Sequence, residues 1–153
     1  MTLRTGTPAP DFEKTTHTGE TLTLSQFRGD KAVVLYFYPK DETPGCTAQA
    51  CSFRDAYEDF VDAGAVVIGV SADNLGSHEQ FAAHHRLPFE LLSDDDGMLR
   101  RKYNVPTSML GMLPGRVTYV IDRQGKVQHV FNSQLQAKRH VKEALAVVKR
   151  LTA

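Results

Sequence analysis

Residues 32–60 read AVVLYFYPKDETPGCTAQACSFRDAYEDF, and the fold follows from how this stretch changes period. Ala32 to Tyr38 is an unbroken apolar run rich in β-branched and aromatic residues. Such a run fits a strand buried on both faces, as in a parallel sheet. Pro39 ends it, because proline cannot donate to a β-ladder. Lys40 to Gly45 is turn chemistry and contains a Pro-Gly pair. Phe53, Ala56, Tyr57, Phe60 and Val61 then recur at helical spacing, which predicts a helix starting near Cys46. Cys46 therefore sits where a loop leaves a buried strand and enters a helix. The second cysteine, Cys51, lies five residues on within the same helix.

The two positions are chemically unequal. A helix N-terminus presents unpaired N–H groups and about half a positive charge, and both favour a thiolate, the nucleophilic form of cysteine. A turn and a half further in, a small thiol ordinarily packs as a hydrophobe, and two purely structural cysteines are the alternative reading. A disulfide between them is mechanically constrained. In an intact helix, residues five apart have Cα atoms roughly 8–9 Å apart and point about 140° away from each other, whereas a disulfide needs Cα atoms within about 7 Å. Oxidation of this pair must be coupled to unwinding of the helix start.

Composition narrows the function classes. The 153 residues are 41% hydrophobic and 24% charged, as expected of one globular domain spanning 1–153. The formal net charge is zero and no basic patch stands out, which argues against nucleic acid as a partner. No apolar run approaches the 18 residues of a membrane span, and MTLRTGTPAPDF has no apolar core of a secretory signal. Two cysteines do not staple a secreted domain. In a reducing cytoplasm such a pair is more often catalytic or metal-binding, so a cytoplasmic location is expected.

Along the rest of the chain, ETLTLSQF alternates as a short strand or hairpin arm, with Phe12 and Phe27 as core anchors. Gly64 closes the helix after Cys51. AVVIGV at 65–70 is a second buried strand, expected parallel to the first. Ser71, Asp73 and Asn74 can cap a helix over roughly 76–86, which Leu87-Pro88 ends. Phe89 to Leu92 is a short strand, and SDDDG at 93–97 a solvated helix start rather than a metal site. A short helix runs on through Tyr103. Residues 104–116 read as a loop, Val117 to Ile121 as a third buried strand, and 127–131 as its hairpin partner. Leu135 to Leu151 forms a closing helix with Val141, Leu145, Val148 and Leu151 on one face. This order predicts an α/β fold.

The segment YFYPKDETPGCTAQACSFRD resembles the active-site segment of peroxiredoxins. Pro39, Thr43 and Cys46 match that family's proline, threonine and cysteine spacing. A second cysteine five residues on is the mark of its Q-type, or bacterioferritin comigratory protein, branch. The resemblance runs from TPAPDF at 7–12 to GRVTYVIDRQGKV at 115–127. It implies a thioredoxin-like three-layer sandwich with an N-terminal β-hairpin extension, and a peroxidase for hydrogen peroxide and organic hydroperoxides. It further implies Cys46 as nucleophile and Cys51 as resolving thiol. Thr43 would bond the sulfur and the peroxide, Pro39 would shield the sulfur, and Arg116 would be the fixed cation. Backbone N–H groups of Gly45 and Cys46 are further candidate donors. Thioredoxin or a similar dithiol would recycle the disulfide. No metal or organic cofactor is expected, and a monomer is, because both cysteines lie in one chain.

Two other classes compete. A thioredoxin-like disulfide reductase would need the two-residue cysteine spacing that is absent here. A non-enzymatic redox relay would use the same cysteine chemistry. A glutathione peroxidase is disfavoured because the chain has no tryptophan. His78, His84 and His85 lack the i, i+4 metal-binding spacing and read as a solvated helix end. Met98, Met109 and Met112 read as apolar packing, with an oxidisable gate as the alternative.

Overall fold

The computed structural model describes residues 1–108 and 113–152. Strand β1 (Glu13–Thr15) pairs antiparallel with β2 (Thr21–Thr23), the expected N-terminal hairpin, followed by a 3-10 turn at Leu24–Phe27. The elements after it are β3 (Ala32–Phe37), α1 (Pro44–Asp55), α2 (Tyr57–Asp62), β4 (Ala65–Ser71), α3 (Leu75–His85), β5 (Glu90–Ser93) and α4 (Met98–Lys102). Next are β6 (Thr107–Ser108), β7 (Leu113–Pro114), β8 (Val117–Ile121), β9 (Val127–Asn132) and α5 (Ala137–Leu151).

The central sheet has the order β5-β4-β3-β8-β9. β3 is parallel to β4 and antiparallel to β8, and the register Val34↔Val67 and Val34↔Val120 centres it. All six β3 residues are buried. Alternation sends Ala32, Val34 and Tyr36 into a core shared with α1, α2, α3 and α5. Val33, Leu35 and Phe37 enter a second core under the N-terminal hairpin and α4. The result is the three-layer thioredoxin-like sandwich. Gly69 on β4 makes room for it: a Cβ there would meet the Tyr36 ring at 2.9 Å and Leu91 at 2.8 Å.

Several expectations change. The long helix after Cys46 breaks at Ala56, so that Phe60 is buried while Val61 faces solvent. Residues 104–116 hold the small β6-β7 ladder. The two strands are too short to show a period, and Gly115 lets the chain pass close against the Pro106 carbonyl. Met109 and Met112 lie outside the described residues. SDDDG is only partly solvated: Asp94 is fully buried and accepts from the N–H groups of Leu99 (2.8 Å) and Arg100 (3.0 Å). The buried face of α5 is His140, Val141, Ala144, Val147 and Val148, while Leu135 is exposed and Leu151 partly so. An apolar pattern alone does not count a hydrogen-bonded histidine as core. Among the described residues no helix is long and apolar enough to cross a membrane.

Candidate active site

α1 begins two residues before Cys46, at Pro44, with Thr43 as its N-cap. Proline suits the first helical position because its missing N–H would have no helical partner. The buried stripe of α1 is Cys46, Gln49, Ala50 and Phe53, at the i, i+3, i+4, i+7 spacing of a core-facing helix. Cys51 falls off that stripe and is half-buried; both cysteines are free thiols.

Among the described residues the Cys46 sulfur has two donors. The Lys40 N–H and the Arg116 Nη2 each approach Sγ at 3.5 Å. The expected Gly45 and Cys46 amides are not among its hydrogen bonds; the loop curls back so that the Lys40 amide takes that place. Arg116, just before β8, is only 4% exposed. Its Nε donates to the Gln134 carbonyl at 3.1 Å and its Nη1 to Gln49 Oε1 at 2.5 Å. Gly45 matters to this contact, since a Cβ there would stand 3.0 Å from Nη2. Among the described residues no carboxylate pairs with Arg116. A buried, permanently charged guanidinium is costly without a counter-charge; one of its nitrogens faces the Cys46 sulfur.

His140 supports the far wall. Its Nε2 donates to the Ser133 carbonyl at 2.7 Å, so its Nδ1 accepts from the Thr118 hydroxyl at 2.8 Å. Burial, reinforced by the Arg116 charge, lowers its pKa to about 4. The ring is neutral and fixes the turn whose Gln134 carbonyl receives Arg116.

Thr43 does not bond the sulfur. Its hydroxyl donates to the Lys40 carbonyl at 2.9 Å, tightening the loop and leaving its oxygen able to accept. Pro39 is half-buried where β3 runs out, one residue before the Lys40 amide. Arg54 faces away, donating to the His85 carbonyl at 2.8 Å, and Arg28 lies against Gly125.

Sequence reasoning missed Gln49 and a polar cluster behind the loop. Asp41 is buried and accepts from the Tyr38 hydroxyl at 2.6 Å and the Ser77 hydroxyl at 2.8 Å. Its second oxygen also meets His78 Nδ1 at 2.7 Å. His78 Nε2 lies 2.9 Å from the Leu92 carbonyl, which can only accept, so that nitrogen carries a hydrogen. The Asp41 amide in turn donates to Asp73 at 2.8 Å. Burial, with the Asp41 carboxylate and its hydrogen bond behind it, raises the Tyr38 pKa well above its ordinary value, so the phenol stays a donor. The solvated reading of His78 is therefore corrected: it is fully buried because loop and helix supply its partners. His84 and His85 are also engaged, with His84 Nδ1 at 2.9 Å and His85 Nε2 at 2.8 Å from Glu42. The one available signal was the run of acids, Asp41-Glu42, next to the cysteine loop.

The sequence model of the AhpC/TSA family matches residues 5–130. The chain is 51% identical over 146 residues to a chloroplastic peroxiredoxin Q of Triticum aestivum, covering 95% of this chain and 67% of that one. It is equally similar to one from Populus jackii, with 95% and 68% covered. Among solved structures, peroxidoxin BcpB of Mycobacterium tuberculosis superposes with a TM-score of 0.90 at 37% identity over 99% of both chains. Peroxiredoxin Q of Xanthomonas campestris gives 0.85 at 31%, over 93% and 92%.

Proposed function

The chain belongs to the AhpC/TSA family as a peroxiredoxin of the Q type and is a thiol-dependent peroxidase; from that premise we propose that Cys46 is its nucleophile and Cys51 its resolving thiol. The observation that carries this reading is the buried Arg116 guanidinium directed at Sγ with no carboxylate partner among the described residues. One related structure, of Xanthomonas campestris bacterioferritin comigratory protein, concerns that protein's alkyl peroxide reduction activity. Hydrogen peroxide and organic hydroperoxides are the substrates inferred here.

The Cys46 thiolate attacks one peroxide oxygen. The O–O bond breaks, the sulfur becomes a sulfenic acid, and the departing alkoxide takes a proton to leave as alcohol or water. Arg116 and the Lys40 amide are placed to donate to oxygens that gain charge as the bond stretches. The Thr43 oxygen accepts from the peroxide O–H. Pro39 keeps water from the sulfur. Cys51 then attacks the sulfenic sulfur, releasing water and forming a disulfide within the chain. That step requires α1 to unwind between the two cysteines. A dithiol protein of the thioredoxin kind takes over the disulfide and returns both thiols. Both cysteines lie in one chain, which supports a monomer, and the use of two unstapled thiols supports a reducing, cytoplasmic setting.

The test is a mass and thiol count after one equivalent of hydrogen peroxide. Loss of two thiols and two mass units per chain is expected, with Cys46→Ser inert and Cys51→Ser gaining one oxygen. Unchanged turnover in Cys46→Ser overturns the assignment.

A further inference from the structure

Glu42, His84 and His85 bring one carboxylate and two imidazoles to a point on the surface between the catalytic loop and the end of α3. Their ligand atoms all lie within 4.8 Å of one another. Glu42 Oε2 stands 2.9 Å from His84 Nδ1, and Oε1 stands 2.8 Å from His85 Nε2. Around a tetrahedral zinc ion with bonds of about 2.0–2.1 Å, ligand atoms are roughly 3.3 Å apart, so small side-chain rotations suffice to admit one. The other mixed cluster, Asp41, Asp73 and His78, is already supplied with donors from Tyr38, Ser77, Ser71 and the Asp41 amide. It has no need of a cation.

The scaffold favours this placement. His85 is edge-on against the buried Phe81 ring, centroids 5.1 Å apart, which fixes the direction of its nitrogen. His84 is open to solvent at 66% of its side chain and His85 at 16%, leaving an entry path. Both sit in the last turn of α3, where the helix dipole favours a cation. Glu42 has left-handed backbone (φ 61°), a conformation that disfavours ordinary side chains and that turns its carboxylate from the loop towards α3. Hydrogen bonds from His84 and His85 hold that carboxyl below its ordinary pKa, so it is an anion. Two nitrogens and one carboxylate suit zinc and its first-row neighbours rather than calcium or magnesium.

We propose that Glu42, His84 and His85 form a divalent zinc site that, when filled, clamps the catalytic loop to α3 and slows the unwinding that lets Cys51 reach Cys46. The clamp lies four residues before the nucleophile, at the edge of the segment that must move. The regulatory part rests on the peroxidase reading; the binding part does not.

Binding is measured by calorimetric titration of zinc chloride into the Cys46→Ser/Cys51→Ser double variant, so that no thiol competes. One zinc per chain is expected, with affinity reduced at least about tenfold by Glu42→Gln and more by adding His84→Ala/His85→Ala. Circular dichroism of each variant checks folding. An absence of zinc binding, or equal affinity after both histidines are removed, overturns the site. Disulfide formation is then followed by stopped flow after one equivalent of peroxide. Zinc is expected to slow it severalfold in the parent and not in His84→Ala/His85→Ala. Equal slowing in both overturns the clamp while leaving the peroxidase reading untouched.

Discussion

α1 and α3 lie on the same face of the sheet and differ in length by one residue, yet they are built to behave differently. α3 opens on Asn74, whose side chain accepts from the Ser77 amide at 2.8 Å, a cap of about 1 kcal/mol. α1 opens on Thr43, whose hydroxyl is used on the Lys40 carbonyl and caps nothing. Its first turns contain Pro44, Gly45, Cys46 and Thr47, mostly weak helix formers. The small residues Cys46 and Ala50 hold its inner face, each worth about 1 kcal/mol of burial, against about 3 for a phenylalanine. Phe53 supplies that larger anchor, stacked on Tyr36 with centroids 4.5 Å apart. On the other side the Asp41–His78 pair holds the loop to α3. The segment from Glu42 to Ser52 thus lies between two fixed points, and the cysteines are both inside it. The lesson is that a reactive helix start can be left weak so long as its two ends are pinned.

Removing the reacting sulfur has the largest expected effect. Cys46→Ser should reduce peroxide consumption by at least about a thousandfold in a coupled assay, the residue being the proposed covalent participant. Next comes its counter-charge. Arg116→Met should slow oxidation of the remaining thiol about 10²–10³-fold, measured by single-turnover stopped flow in a Cys51→Ser background so that resolution does not intrude. Breaking one pinned end follows. Asp41→Asn should destabilise the protein by about 1–3 kcal/mol in urea denaturation, since the amide nitrogen cannot accept and leaves a buried donor unpaired. Thr43→Ala should cost about 1 kcal/mol or less. Equal losses would dissolve the contrast between anchor and spring.

A further effect, read against pH rather than activity, concerns the far wall. His140 has a folded pKa of about 4 against an unfolded value of about 6.5. Between those values the unfolded chain holds a proton that the native chain does not, so stability falls as pH drops. The contribution is complete above about 6.5 and lost by about pH 4. His140→Gln should flatten urea midpoints across that window.

The sheet was legible because β3, β4 and β8 are continuous apolar runs whose length and flanking turns leave little choice. Cys46 stood out as the candidate nucleophile because a strand, a Pro-Gly turn and a helix converge on it. Arg116 could be named through resemblance alone, seventy residues away in sequence. Gln49, Asp41 and His78 were not legible, because a buried polar side chain looks like a solvated one until its partner, distant in sequence, is in place. The β6-β7 ladder escaped for a different reason: two-residue strands carry no periodicity.

The most direct test is amide hydrogen exchange of the reduced and peroxide-oxidised protein at matched pH. Oxidation should strip protection from residues 45–52 while β4 and α3 keep theirs. Both thiols lost with protection of α1 unchanged would contradict the account.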